Sequence, residues 1–386
     1  MGAGGRRVRA RAVAAIVVAA AAVVAGGGSA SAAAKPGVIM TWGSDADGQL
    51  GNGAAGGHLN GATVPGMPGI IDMSGGREHV VALKQNGTVW AWGHNNDGQV
   101  GDGTKTNRTA PVQVKALTNV IDVATGHYSS IALRSDGTVW CWGLNTFGQL
   151  GNGTTTSSSV PVQVKGLTGV VRIGGARDHT LAVKANGTVW AWGDNEFGNL
   201  GDGSTANSDV PVQVKGFTNV KFVAGGRDHS LAIETDGSVW AWGWNQYGQL
   251  GDGTKTNRLA PVRVKGIAPA VQVAAGANHS LARLEGGTVW AWGQNSFGQV
   301  GDGTGGGRLV PVKVPGIANA INIGAGRLHS LAIEKDRSVW AWGDNDFGQL
   351  GDGTTTNRLR PVRVTGVTGG EEVAGGRDYS VALVQP

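Results

Sequence analysis

The chain is 386 residues long and holds 69 Gly and 14 Trp against nine Phe and Tyr together. That much glycine means either disorder or very many tight turns, and the tryptophans exclude disorder, because a disordered chain has no core to receive them. The formal charge of +5 falls to +1, 28 basic against 27 acidic residues, once Arg6, Arg7, Arg9 and Arg11 are set aside as an N-terminal cluster. An electrostatic binder of nucleic acid needs a basic excess on its folded domain, so no nucleic-acid partner is expected.

Residues 1–34 read as a secretory signal peptide. A basic start is followed by an uninterrupted Val/Ala/Ile run over 13–25 and by a small-residue stretch containing Ala30-Ser31-Ala32, which is the three-part layout of an export signal. Thirteen apolar residues are too few to span a bilayer comfortably. The expectation is cleavage after Ala32 or Ala34, a secreted, extracellular product and no membrane attachment afterwards. Cys141 is the sole cysteine, so packing must supply the stability even in an oxidising destination.

The chain from 35 to 386 is one repeat domain. Residues 37–42 match the returning strand of a hairpin whose outgoing strand is absent there. Trp-Gly pairs then recur at Trp42, Trp92, Trp142, Trp192, Trp242, Trp292 and Trp342, 50 residues apart each time. A second column runs from Trp90 to Trp340 at the same period. Within one unit, 229–234 alternates as a strand, Asp236-Gly237 reads as a two-residue hairpin turn, and 238–242 returns. A long glycine-rich turn follows, then strands over 261–265 and 270–274. No stretch has helical periodicity. Four short strands per unit, seven times over, predict an all-β, seven-bladed β-propeller of four-stranded blades. The outgoing strand missing at the start stands at the end, over 380–384. Pairing it with 38–42 closes the ring and hides both edges. The paired tryptophans share a strand face. Each buries on the order of 150–250 Å², an upper bound of roughly 4–6 kcal/mol apiece, which suits them to glue neighbouring blades.

The motif Gly-x-x-His-Ser-x-Ala at 226–232, followed by Gly-x-Val-x-x-Trp-Gly-x-Asn-x-x-Gly-Gln-Leu-Gly-x-Gly at 237–253, resembles the repeats of the regulator of chromosome condensation family. The resemblance covers 36–386 and implies a seven-bladed propeller. It also implies a guanine-nucleotide exchange face built from acids and His in the Gly-x-x-His loops, where Glu78, Asp178, Asp228 and Asp378 stand at matching positions. The fixed 50-residue period leaves no room for the inserted wedge that exchange uses, and an exported protein meets no cytosolic GTPase, so exchange is the least favoured reading. The chain is also distantly similar to propeller-type β-lactamase inhibitor proteins, whose units are shorter.

The hairpin puts the Gly-x-x-His loops and the Trp-Gly-x-Asn loops on one face, where the columns vary from unit to unit while the scaffold columns repeat. One column holds His94, Leu144, Asp194, Trp244 and Asp344; the next holds Glu196. Beside them stand Arg77, Tyr128, Arg177, Arg227, Arg327 and Arg377 with the four acids above. Aromatic and Arg-rich surfaces supply hot spots, and Trp244 is the expected anchor. The His column at 79, 179, 229, 279 and 329 is interrupted by Ser129 and Tyr379 and reads as loop bracing. Asp45 to Gly48 lacks the glutamate of a calcium loop, and the Gly-Gln-Leu-Gly turns lack a following helix and a lysine for phosphate. No metal, cofactor or catalytic residue is expected. The function read from the residues is a monomeric, non-catalytic, secreted scaffold that binds a protein through its loop face, with an inhibitory role suggested by the resemblance. A carbohydrate or cell-wall polysaccharide is the alternative ligand. A third reading, a hydrolase or lyase at the central channel, would announce itself as a perturbed acid cluster there.

Overall fold

The structure is a computed structural model that describes residues 36–54 and 56–385; the expected leader lies outside the described residues. Among the described residues there are 28 strands and no helix. The strands form seven four-stranded antiparallel sheets, each one blade of a propeller ring. One blade serves as the type: β15 (Val220–Gly225), β16 (His229–Glu234), β17 (Val239–Gly243) and β18 (Arg258–Arg263) pair in that order from the channel outward.

The chain ends share a blade. β1 (Val38–Gly43) lies between β28 (Tyr379–Val384) and β2 (His58–Thr63), with β27 (Gly370–Gly375) innermost. Its register against β28 runs unbroken from Val38 opposite Val384 to Gly43 opposite Tyr379, so the ring is closed by the predicted pairing.

The hydrophobic core is divided into wedges between blades. Leu231, Ile233 and Val239 of the type blade pack with Ala270, Val273, Ala282 and Trp292 of the next. Both faces of β16 and β17 are therefore covered, which is why these strands are apolar on both sides. The tryptophans of the 42 column are fully buried, while those of the 90 column are half-buried on the outer side of the same wedges. Each indole of the first column also donates to a backbone carbonyl of the preceding blade, Trp42 to Gln349, Trp92 to Gln49 and Trp242 to Asn199, at 2.8–3.0 Å. A buried indole N–H needs such a partner.

The outer edges are blunted. Pro111, Pro161, Pro211, Pro261, Pro311 and Pro361 sit inside the outermost strands, where a missing N–H removes the group that would recruit another strand. The first unit has Gly61 instead, an irregularity the sequence leaves unexplained. Its N–H donates to the Thr365 carbonyl of the neighbouring blade at 3.4 Å, so this edge is spent as well.

Three local expectations are corrected. The third strand is Arg258–Arg263 rather than 261–265, because Arg258 pairs with Gly243 ahead of a register shift. The hairpin turn has three residues: Gly237 N–H donates to Glu234, Glu234 N–H to Ser238, and Gly237 takes φ +85°, the bulged form. The strand at Ala270–Ala275 pairs with His279–Leu284 and so opens the next blade instead of completing its own.

Candidate functional site at the channel mouth

The innermost strand of each blade lines a central channel of about 700 Å³, walled near one mouth by Gly, Ala, Ser and Thr such as Ser74, Gly75, Ala124, Thr125, Gly324 and Ala325. At that mouth β15 turns through Gly226-Arg227-Asp228 into β16. The turn is closed by Gly226 N–H donating to the His229 carbonyl at 2.8 Å. A Cβ on Gly226 would press on the His229 imidazole, and where Ala176 stands at the equivalent position the closing bond to His179 lengthens to 3.1 Å.

The two loop sets expected on one face are bonded directly. Trp244 N–H donates to the Asp228 carbonyl, and the same bond joins His94 to Glu78, Leu144 to Tyr128, Asp194 to Asp178 and Asp344 to Leu328, at 2.8–3.0 Å. Neighbouring mouth loops are also tied. Arg77 N–H donates to the His127 carbonyl, His127 to Arg177, Arg327 to Gly376 and Arg377 to Arg77, at 2.9–3.2 Å. The face is a preorganised platform held by backbone bonds within and between blades.

Ion pairs overlie this frame. Arg177 bridges Asp178 at 2.7 Å and Asp228 of the next blade at 3.1 Å. Arg227 lies 3.3 Å from Asp228. Across the ring closure, Arg377 meets Glu78 at 2.9 Å and Asp378 at 3.1 Å, and Arg327 meets Asp378 at 3.3 Å. Arg77 contacts Glu78 and the Tyr128 hydroxyl, with its guanidinium over the Tyr128 ring. Burial pushes the Asp228 carboxyl up to about 6 although Arg177 and Arg227 pull it down; Asp178 and Asp378 are raised for the same reason. The guanidiniums pull His127 down as well, and there burial works with them: its imidazole is held down to about 3 by burial first and then by Arg177, Arg77, Arg227 and Arg327.

The predicted contact residues divide by exposure. Asp178, Asp228, Asp378, Asp194 and Asp344 are buried and brace loops; Asp194 accepts from Asn199 Nδ2 at 2.9 Å. Glu196 is exposed, and Leu144, His94 and Tyr128 are half-exposed. His94 Nδ1 lies 2.7 Å from Gln99 Nε2, its ring 5.7 Å from that of Tyr128. Trp244 stands half-buried between Phe197, 5.7 Å away, and Tyr247, 5.5 Å away, in centroid separation. Phe197 and Tyr247 are absent from the sequence-derived set, although the aromatic column to which they belong is visible in the repeats.

The channel wall also holds an acid cluster that sequence reading missed. Asp72 and Asp122 are buried on adjacent inner strands, and burial raises both carboxyls, with Arg172 opposing and Glu372 adding to the rise at Asp122. Asp72 Oδ2 accepts from Val123 N–H of the next blade at 3.0 Å. This is the perturbed cluster named for a channel enzyme, but the remaining oxygens, Asp72 Oδ1 and both of Asp122, have under 1 Å² of accessible surface each. The pair joins blades and presents no oxygen to a substrate. Among the described residues no group of three or more His, Cys, Asp or Glu is placed to hold a metal ion.

Comparison with known proteins agrees with this architecture. Solved structures similar to the chain include Prp20p of Saccharomyces cerevisiae, reported with its binding properties to Gsp1p and histones, at 24% identity and TM-score 0.82 over 91% of this chain and 92% of that one. Yeast RCC1 (Prp20) bound to Kap60 matches at 22% identity and TM-score 0.84 over 99% and 97%. Human WBSCR16 matches at 24% and 0.81 over 90% and 99%. No curated protein matches the chain in sequence. Regulator of chromosome condensation (RCC1) repeats match at 286–333 and 336–383, and an RCC1-like domain matches residues 7–270. With most of its length matched in this way and a seven-bladed ring of these repeats, the chain belongs to the RCC1-like domain family.

Proposed function

We propose that the protein is an exported, non-catalytic scaffold that binds a protein partner through the loop face around the channel mouth. One observation carries the reading. The bonds that build this face repeat around the ring, whereas the side chains standing on it differ from blade to blade. A rigid frame with individually varied side chains is what a specific contact surface requires. Structural relatives support it, since Prp20p is described with Gsp1p and histones and yeast RCC1 with Kap60. Fold alone does not carry function, so the partner stays defined by this chain's own face. Export is read from the leader and is checked by N-terminal sequencing of the protein from culture medium, expected to start at Ala33 or Lys35.

The binding test is affinity capture from culture medium on the immobilised protein, run beside an array of soluble polysaccharides. A protein retained by the parent and released by Trp244→Ala, with an unchanged melting midpoint, is the expected result. Retention of polysaccharide alone would transfer the face to a sugar ligand, for which the Phe197–Trp244–Tyr247 cluster also offers stacking rings.

A further inference from the structure

Sevenfold repetition predicts seven equivalent junctions at the outer rim of the loop face, and they are not equivalent. At each junction the outermost strand of one blade starts against the glycine that ends the turn motif of the blade before it. At three junctions this contact is polar in whole or part: Asp47 beside Thr109, Asp97 beside Ser159, and Phe147 beside Asp209. At the other four, consecutive around the ring and across its closure, an aromatic precedes the glycine and a leucine lies on it. Tyr247 and Gly248 meet Leu309, and Phe347 and Gly348 meet Leu59; Phe197 with Leu259 and Phe297 with Leu359 repeat the pattern.

The fold does not demand these apolar pairs. The junction at Asp47 is closed by a hydrogen bond from Asn107 Nδ2 to the carboxylate at 2.8 Å. Nor does burial reward them, since Tyr247, Phe347 and the four leucines are 36–51% exposed. Large apolar side chains left exposed at four neighbouring junctions, joined by Trp244 between Phe197 and Tyr247, mark an interaction surface. This surface also has a charge sign. None of the seven turns carries Lys or Arg at positions 44–47 or their equivalents, and the exposed side chains just before Phe197 and Phe347 are Glu196 and Asp346. Of the nearby guanidiniums, those of Arg258, Arg308 and Arg358 are spent on Asp252, Asp302 and Asp352 at 2.7–2.8 Å, while that of Arg360, after Leu359, is exposed and lies over Gly303.

We infer that this off-centre arc, running from Phe197 through Tyr247 to Phe347 and Leu59, is a docking surface for a polypeptide segment whose bulky apolar side chains are flanked by Lys or Arg. The inference rests on the loop-face reading above and adds the location and the partner's chemistry. Apolar side chains of the segment fill the aromatic–leucine junctions, and its cations meet Glu196 and Asp346 at the two ends.

The test pans a displayed library of random peptides against the full chain and measures the selected peptides on variants, beside a panel of soluble polysaccharides. The expected consensus is apolar and net basic. Tyr247→Asp with Leu309→Ser, which copies the Asp97–Ser159 junction this fold already accepts, weakens binding by about tenfold or more. Glu196→Gln with Asp346→Asn weakens it and flattens its salt dependence. Should the first pair lower the melting midpoint, Phe347→Asp alone carries the measurement. An acidic or uncharged consensus overturns the inference. So do peptides indifferent to the arc variants but lost with Arg177→Ala and Arg377→Ala, and in that case the loop-face reading survives. No enriched peptide, with polysaccharide bound instead, removes both.

Discussion

His229 and Ser280 meet across a blade junction, with the imidazole Nε2 3.0 Å from the hydroxyl. That hydroxyl donates to the Gln249 carbonyl at 2.8 Å, beside the Trp292 indole at 2.8 Å. A serine has one proton to give, so the imidazole is the donor and carries its hydrogen on Nε2. The latch recurs at His79–Ser130, His179–Ser230, His279–Ser330 and His329–Ser380. The two remaining junctions depart in both partners at once. Opposite Val80, which has no hydroxyl, stands Tyr379, whose own hydroxyl donates to the His79 carbonyl at 2.6 Å. Opposite Thr180 stands Ser129, and Thr180 keeps the bond to the Gln149 carbonyl at 3.1 Å.

Ser280→Val strands a buried imidazole N–H and should cost about 1–3 kcal/mol. Adding His229→Tyr rebuilds the Tyr379–Val80 arrangement and should recover a measurable part of that loss. A double-mutant cycle by denaturant titration reads the coupling. Strict additivity would show that the paired departures are coincidental.

The same histidines set an acid limit on stability. Burial holds His79, His179, His229 and His329 down to about 3 and His279 to about 4. Each is neutral in the fold and takes a proton in the unfolded chain below about pH 6.5. Their contribution is complete above that pH and is lost as pH falls toward the folded value, at about 1.4 kcal/mol per pH unit for each group. The raised Asp228 carboxyl works in the opposite direction, stabilising below its unfolded value and losing that contribution as pH rises through about 6. Comparing His229→Gln with its parent isolates the imidazole. The variant is weaker at pH 7, and its stability should fall less steeply between pH 6 and pH 4, by about 1.4 kcal/mol per unit. Parallel acid limbs would refute the assignment.

The repeat count and the ring closure were legible because the Trp-Gly spacing never slips and the two ends supply complementary halves of one hairpin. Blade phase was less legible. The strands at Val220–Gly225 and Arg258–Arg263 both flank the hairpin, and only Pro261 marks the second as an outer edge. Arg258 and Leu259 resembled loop because their pairing passes through a register shift. At the face, loop adjacency followed from hairpin geometry. The burial of Asp228 did not, since it depends on Arg177, a full repeat away in sequence.

One unit departs from the backbone the repeat prefers. Ala116 takes φ +52°, where Gly66, Gly166, Gly216, Gly266, Gly316 and Gly366 take φ of +68° to +90°. A left-handed residue with a Cβ costs about 1–2 kcal/mol, partly offset by the greater freedom glycine has when unfolded. Ala116→Gly should therefore stabilise the protein by about 0.5–1 kcal/mol, seen as a raised denaturation midpoint at unchanged slope. A lowered midpoint would contradict the strain.

The clasp between the ends is the most exposed dependency of the ring. β28 pairs with β1 over six residues on one side and with β27 on the other. Its side chains also enter two separate wedges: Tyr379, Val381 and Leu383 pack with Ile39, Met73 and Trp92, while Ala382 and Val384 pack with Trp42, Val339 and Leu350. Deleting 379–386 therefore opens two cores and bares two strand edges in one step. The loss far exceeds a surface truncation, because bare edges invite intermolecular pairing as well as unfolding. The truncated chain should lose its sharp melting transition and aggregate on warming, and a synthetic peptide of residues 376–386 added in trans should restore the transition in a concentration-dependent way. A truncated protein that melts like the parent would mean that the ring does not need its clasp.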